Sequence, residues 1–181
     1  MGNLSHGLTQ SYYDYARFGR VFCARAIVTA PVIYSTAAGT GGPLLWNNTT
    51  NLNAVILAVT VGVTVVTTVA AAIGLTGGSG QTVAPLATTA IDTSACLRIG
   101  EQGPLMNVYR VGTPNAAGTF FLPLFSVHTG ALTVDTGQPG LYDVGGMVVV
   151  PPGSWVSVAA SATASTLQAN IGLIWAETSI L

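Results

Sequence analysis

Few groups in this 181-residue chain could carry acid–base or nucleophilic chemistry: six carboxylates, two histidines and two cysteines. The carboxylates are Asp14, Asp92, Glu101, Asp135, Asp143 and Glu177, and no two share a local motif. Two of them could meet across a fold as a glycosidase pair does, but nothing beside them marks such a pair. His6 is close to the N-terminus, and His128 stands in Ser126-Val127-His128-Thr129-Gly130 at the end of a strand-like run. That is the setting of an ordinary loop histidine rather than a base. Cys23 and His128 are conceivable as nucleophile and base, yet neither has the local signature of a cysteine enzyme. Asp135-Thr136-Gly137 matches the aspartic-protease tripeptide in three letters and no further. Gly77-Gly78-Ser79-Gly80 is glycine-rich like a phosphate loop, but it lacks the lysine and the following helix, so it reads as a hairpin turn. No His/Cys/Asp spacing suits a metal, and there is no nucleophile elbow. The expectation is a protein that is not an enzyme, without catalytic, cofactor or metal site.

Residues suited to contact rather than chemistry gather near the N-terminus. Residues 1–20 read as an arm or short helix, distinct from a single domain over 21–181. Ser11 through Arg20 reads SYYDYARFGR. Tyr12, Tyr13, Tyr15, Arg17, Phe18 and Arg20 are the candidate assembly contacts, because aromatic residues and arginine are enriched at interface cores. The same segment could instead fold back over its own domain. Trp46, Trp155 and Trp175 are a conceivable platform for sugars, although their places beside strand-like runs favour core or interface packing.

Only 6% of the residues are charged and 50% are hydrophobic, with a formal net charge of -1. An ordinary soluble domain is about 25% charged. All five basic residues are arginine. No general field draws such a chain to nucleic acid or to an acidic membrane, and no direct nucleic-acid binding is expected. A surface so poor in charge must lie in lipid, be covered by partners, or be polar through Thr, Ser, Asn and Gly.

The uncharged stretch from Ala54 to Leu75 is long enough for a membrane helix. Its pattern contradicts that reading. Val59 to Val65 alternates Val-Thr-Val-Gly-Val-Thr-Val, a period of two that puts valine on one face of a strand. No flanking Lys or Arg sets an orientation, so no membrane association is expected. The N-terminus lacks the basic and apolar regions of a signal peptide, and His6 breaks the myristoylation pattern. Asn48-Thr49-Thr50 is formally a glycosylation sequon and reads as a polar loop. Cys23 and Cys96, in unlike contexts, suit buried thiols better than a disulfide framework.

Short apolar segments punctuated by Gly and Pro follow one another after Arg20. Strands are expected at 21–29, 54–69, 82–88, 95–99, 106–111, 119–125, 131–134, 147–150, 155–159 and 167–175, with a further short one at 32–36 after Pro31. No segment holds helical periodicity over three turns, and no repeat of fixed period is present. The expected fold is all-β, a jelly-roll or Greek-key β-sandwich with an N-terminal arm.

Three stretches also carry a family resemblance. They are Leu44-Leu45-Trp46-Asn47 leading into Asn53-Ala54-Val55-Ile56-Leu57, then Val148-Val149-Val150-Pro151-Pro152-Gly153-Ser154-Trp155, and Ile174-Trp175-Ala176-Glu177. In these the chain resembles the capsid cement or decoration proteins of tailed bacteriophages, small virion proteins with jelly-roll-like sandwiches. The resemblance implies a homo-oligomer, a dimer or trimer, made in the bacterial cytoplasm. It would be seated on the outer capsid surface over junctions of the major capsid protein, where it stabilises the shell. Two other roles stay open. One is a host-recognition or carbohydrate-binding module of a tail fibre or spike. The other is a major jelly-roll capsid subunit, for which a basic arm of only Arg17, Arg20 and Arg25 is slight.

Overall fold

A computed structural model describes residues 15, 16, 18, 20–29, 43–65, 71–84, 86–90, 95, 96, 102–115, 118–127, 140–161 and 168–180. These form eleven strands: β1 (Val21–Thr29), β2 (Leu44–Trp46), β3 (Leu52–Val65), β4 (Ala71–Ser79), β5 (Leu86–Ala90), β6 (Ala95–Cys96), β7 (Asn107–Thr113), β8 (Thr119–Val127), β9 (Gly140–Val150), β10 (Ser154–Ala160) and β11 (Gln168–Ser179). They make two antiparallel sheets, one ordered β6-β1-β11-β3-β9 and the other β5-β7-β2-β10-β4-β8. The fold is all-β, as expected. The runs expected at 32–36 and 131–134 lie outside the described residues.

Alternation along the strands builds the core between the sheets. Phe22, Ala24 and Ala26 of β1, and Ala169, Ile171, Leu173 and Trp175 of β11, point inward from the first sheet. Leu45, Ile73, Leu75, Val156 and Val158 meet them from the second. On β3 the inward positions change parity, from Ala54 and Ile56 to Val59 and Val61. A bulge at Leu57 makes the change, where the register against β11 slips between Ile174 and Trp175. Leu57 then faces the opposite side of the sheet.

The pairing is nested. β1 pairs with β11, β2 with β10, β3 with β9 and β4 with β8. One long hairpin rolled up on itself gives this set of partners, with β5, β6 and β7 inserted between its fourth and fifth strands. The insertion widens both sheets on one flank, where β6 joins β1 and β7 joins β2. The opposite flank is bounded by β9 in one sheet and β8 in the other.

Gly77 and Gly78 are not in a hairpin turn. They continue β4 and pair with Val156 and Trp155. A side chain at Gly77 would strike the Trp155 carbonyl oxygen at 2.8 Å, so glycine here permits close packing under an aromatic residue. The chain leaves the strand at Gly80, whose φ is 81°. Residues 82–84 are not strand, and the next pairing begins at Leu86.

Candidate functional site

Of the N-terminal candidates, Tyr15, Phe18 and Arg20 are described, while Tyr12, Tyr13 and Arg17 lie outside the described residues. Tyr15 and Ala16 form a helical turn, held where the Arg20 N–H donates to the Tyr15 carbonyl at 3.1 Å. Arg20 in turn accepts from the Glu177 N–H at 3.0 Å, which ties the turn to β11. Tyr15 and Ala16 pack on Val21, Leu57 and Ala176, on the side of the first sheet away from the core. This part of the arm therefore folds back over its own sandwich. Phe18 is 61% exposed, and Arg20 is exposed beside it.

The described acidic groups bind backbone. Glu177 is buried, and its carboxylate accepts from the Leu105 N–H at 3.1 and 3.2 Å and from the Met106 N–H at 3.2 Å. It fastens the approach to β7 onto β11. Asp143 is exposed, and its Oδ1 accepts from the Gly145 N–H at 2.8 Å inside a bulge of β9. Asp14, Asp92, Glu101, Asp135, His6 and His128 lie outside the described residues. Cys23 is half-buried and carries no disulfide; burial pushes its thiol above the ordinary range, partly opposed by Arg25. Among the described residues no group of three His, Cys, Asp or Glu is placed to hold a metal ion.

Two buried amides hold one end of the sandwich together. The Asn47 side chain donates to the carbonyls of Leu52 at 2.8 Å and Val150 at 2.9 Å, and accepts from the Thr49 N–H and hydroxyl. Gln81 donates from its side chain to the Val83 carbonyl and accepts from the Asn115 N–H; its own carbonyl accepts from the Trp46 indole. Trp175 is fully buried and Trp155 nearly so. The three tryptophans are thus spent on the interior and on this network, and they do not line up as an exposed platform.

The exposed apolar side chains are more telling. Leu141, Met147 and Val149 all project from β9 and are 67%, 76% and 51% exposed. Phe121 of β8 is exposed on the same flank, and a shallow groove of about 200 Å³ runs between Phe121 and Val149. Phe125 of β8 stacks on Tyr142 of β9 with ring centroids 5.1 Å apart, closing the two sheets together below it. A second groove, of about 320 Å³, crosses the outer side of the first sheet from Arg25 past Thr60, Gly62 and Asn170 to Leu141.

Comparison with protein-family models, with curated proteins and with solved structures finds no match to this chain.

Proposed function

We propose that this protein is a non-enzymatic virion structural protein that self-associates and binds the outside of a bacteriophage capsid, stabilising the shell. The observation that carries the reading is the exposed row of Leu141, Met147 and Val149 along a bounding strand, on a chain only 6% charged. A surface that shows water apolar side chains and little charge gains free energy when a neighbour covers it. The nested pairing supports the finer reading of the fold as a jelly roll, an architecture found in viral capsid and lectin domains. The buried amides of Asn47 and Gln81 suit a rigid part that transmits load. Many copies seated on one lattice would turn weak contacts into firm attachment. Phe18 and Arg20 are the arm residues that offer an aromatic ring and a guanidinium to the major capsid protein.

The test is co-sedimentation with heads of the encoding phage that lack the protein. Wild type should pellet with the heads, and a Phe18→Ala/Arg20→Ala variant should bind about tenfold more weakly, since losing such an anchor costs roughly 1–2 kcal/mol. Both side chains are exposed, so the variant should melt as wild type does. Failure of wild type to bind heads overturns the reading; unchanged binding by the variant removes the arm from it.

A further inference from the structure

The outer edge of the first sheet at β9 deepens this reading and rests on its self-association. Among the described residues no strand pairs with the outer side of β9, which ends the order β6-β1-β11-β3-β9. An unpaired edge offers a row of backbone N–H and C=O groups to another extended chain. Natural edges are usually blunted by lysine, by proline, by inward-pointing charge or by a bulge, and the β9 bulge at Gly145 and Gly146 spoils that part of its edge. β9 contains no lysine and no proline, and its one charged residue is Asp143. β8, the other strand on this flank, is a poorer template, because Pro123 interrupts its donors and its register slips twice against β4.

The segment from Met147 to Val150 is the usable part. It pairs regularly with β3 through Val148, Val149 and Val150, and the bulge with Gly145 at φ 62° and Gly146 at φ 76° ends the regular run. Val148 and Val150 face the core, while Met147 and Val149 face outward.

We propose that β9 pairs with β9 of a second copy, antiparallel about a two-fold axis through Val148, joining the two five-stranded sheets into one. Directly opposed residues in an antiparallel pair share a face, so the axis must pass through a residue position. With the axis at Val148, Met147 faces Val149 of the second copy and the reverse, two apolar outward pairs. An axis at Val149 would instead set Met147 against Pro151, which has no N–H to give. Charge does not oppose a second copy. Asp143 and Val148 stand opposite Ala58 and Ile56, because the bulge takes up the residues between them. The two Asp143 residues therefore fall about four residue steps apart, roughly 13 Å at ~3.3 Å per residue, beyond a Debye length of about 10 Å, and are not directly opposed. A closed two-fold pair uses each edge once, which suits a finite oligomer rather than a fibre.

Sedimentation equilibrium tests this directly. Wild type should form a dimer, and Met147→Lys/Val149→Lys should be monomeric over the same concentrations with an unchanged melting temperature, because both side chains are exposed. Amide exchange at 147–150 should slow on dimerisation. A mixture of Met147→Cys and Val149→Cys chains should form the mixed disulfide faster than either chain alone cross-links at the new cysteine, mapped by mass spectrometry. A monomeric wild type, or an oligomer indifferent to the two lysines, overturns the proposal. Protection of these amides by capsid alone, without dimer, overturns it in favour of a capsid strand as occupant. A β9-linked dimer that ignores phage heads would sink the capsid reading while leaving this junction intact.

Discussion

Cys23 and Arg25 stand two residues apart on the outer side of β1, and they make a small electrostatic experiment. Burial disfavours the thiolate and outweighs the attraction of the guanidinium, so the Cys23 pKa is raised above its ordinary value of 9.0. The folded pKa lies above the unfolded one. This thiol's contribution to stability is therefore complete below the unfolded pKa and is lost as pH rises through the folded pKa. Iodoacetamide should label Cys23 more slowly than free cysteine at pH 8, measured peptide by peptide in the mass spectrometer. Arg25→Ala should slow it further, since the cation is what pulls the pKa back down. Other residue-level features were hidden from sequence for a physical reason. No local motif marks Asn47 or Gln81, and Glu177 shares none with another carboxylate. Their importance lies in partners far along the chain, such as the Val150 carbonyl, 103 positions from Asn47. Tyr15 carried the right composition for an interface, and composition does not distinguish a neighbour's surface from the chain's own.

At the scale of elements, alternation made much of the sheet structure legible. Val59 to Val63 turned out as an inward valine row with Thr60 and Gly62 facing out, and β10 matched its expected span to within a residue at each end. What alternation could not show was where strands bend. The parity change at Leu57 and the glycine bulge of β9 are register events that arise only when a partner strand is present. Glycine misled at 77–80 because it serves turns and close packing equally. The same ambiguity holds at Gly74 in the middle of β4. There a methyl group would run into the Leu122 carbonyl oxygen, the Pro123 Cα and the Phe120 ring. Two of those three are backbone and cannot rotate aside. Gly74→Ala should cost about 3 kcal/mol, the upper end for overpacking, and a denaturant titration followed by circular dichroism would read it.

For the molecule as a whole, the sparse charge pointed to assembly, and the structure adds where apolar surface is on offer. The nested pairing was not legible, because strand order depends on which distant segments meet. Its cost is kinetic. Partners such as Val21 and Ala176 stand at opposite ends of the described chain, so most of the pairing is non-local. Refolding from denaturant should accordingly take milliseconds to seconds rather than microseconds, measured by stopped-flow fluorescence of the buried Trp175. β11 lies between β1 and β3, and a ribosome delivers it after both. Until Gln168–Ser179 emerges, the growing polypeptide has no way to bring β1 and β3 into one sheet. The strands made before β11 therefore await their centre with few charges to keep them apart, a period in which a holding chaperone has work to do. β9 accordingly stands as the edge of a five-stranded sheet only after β11 is in place.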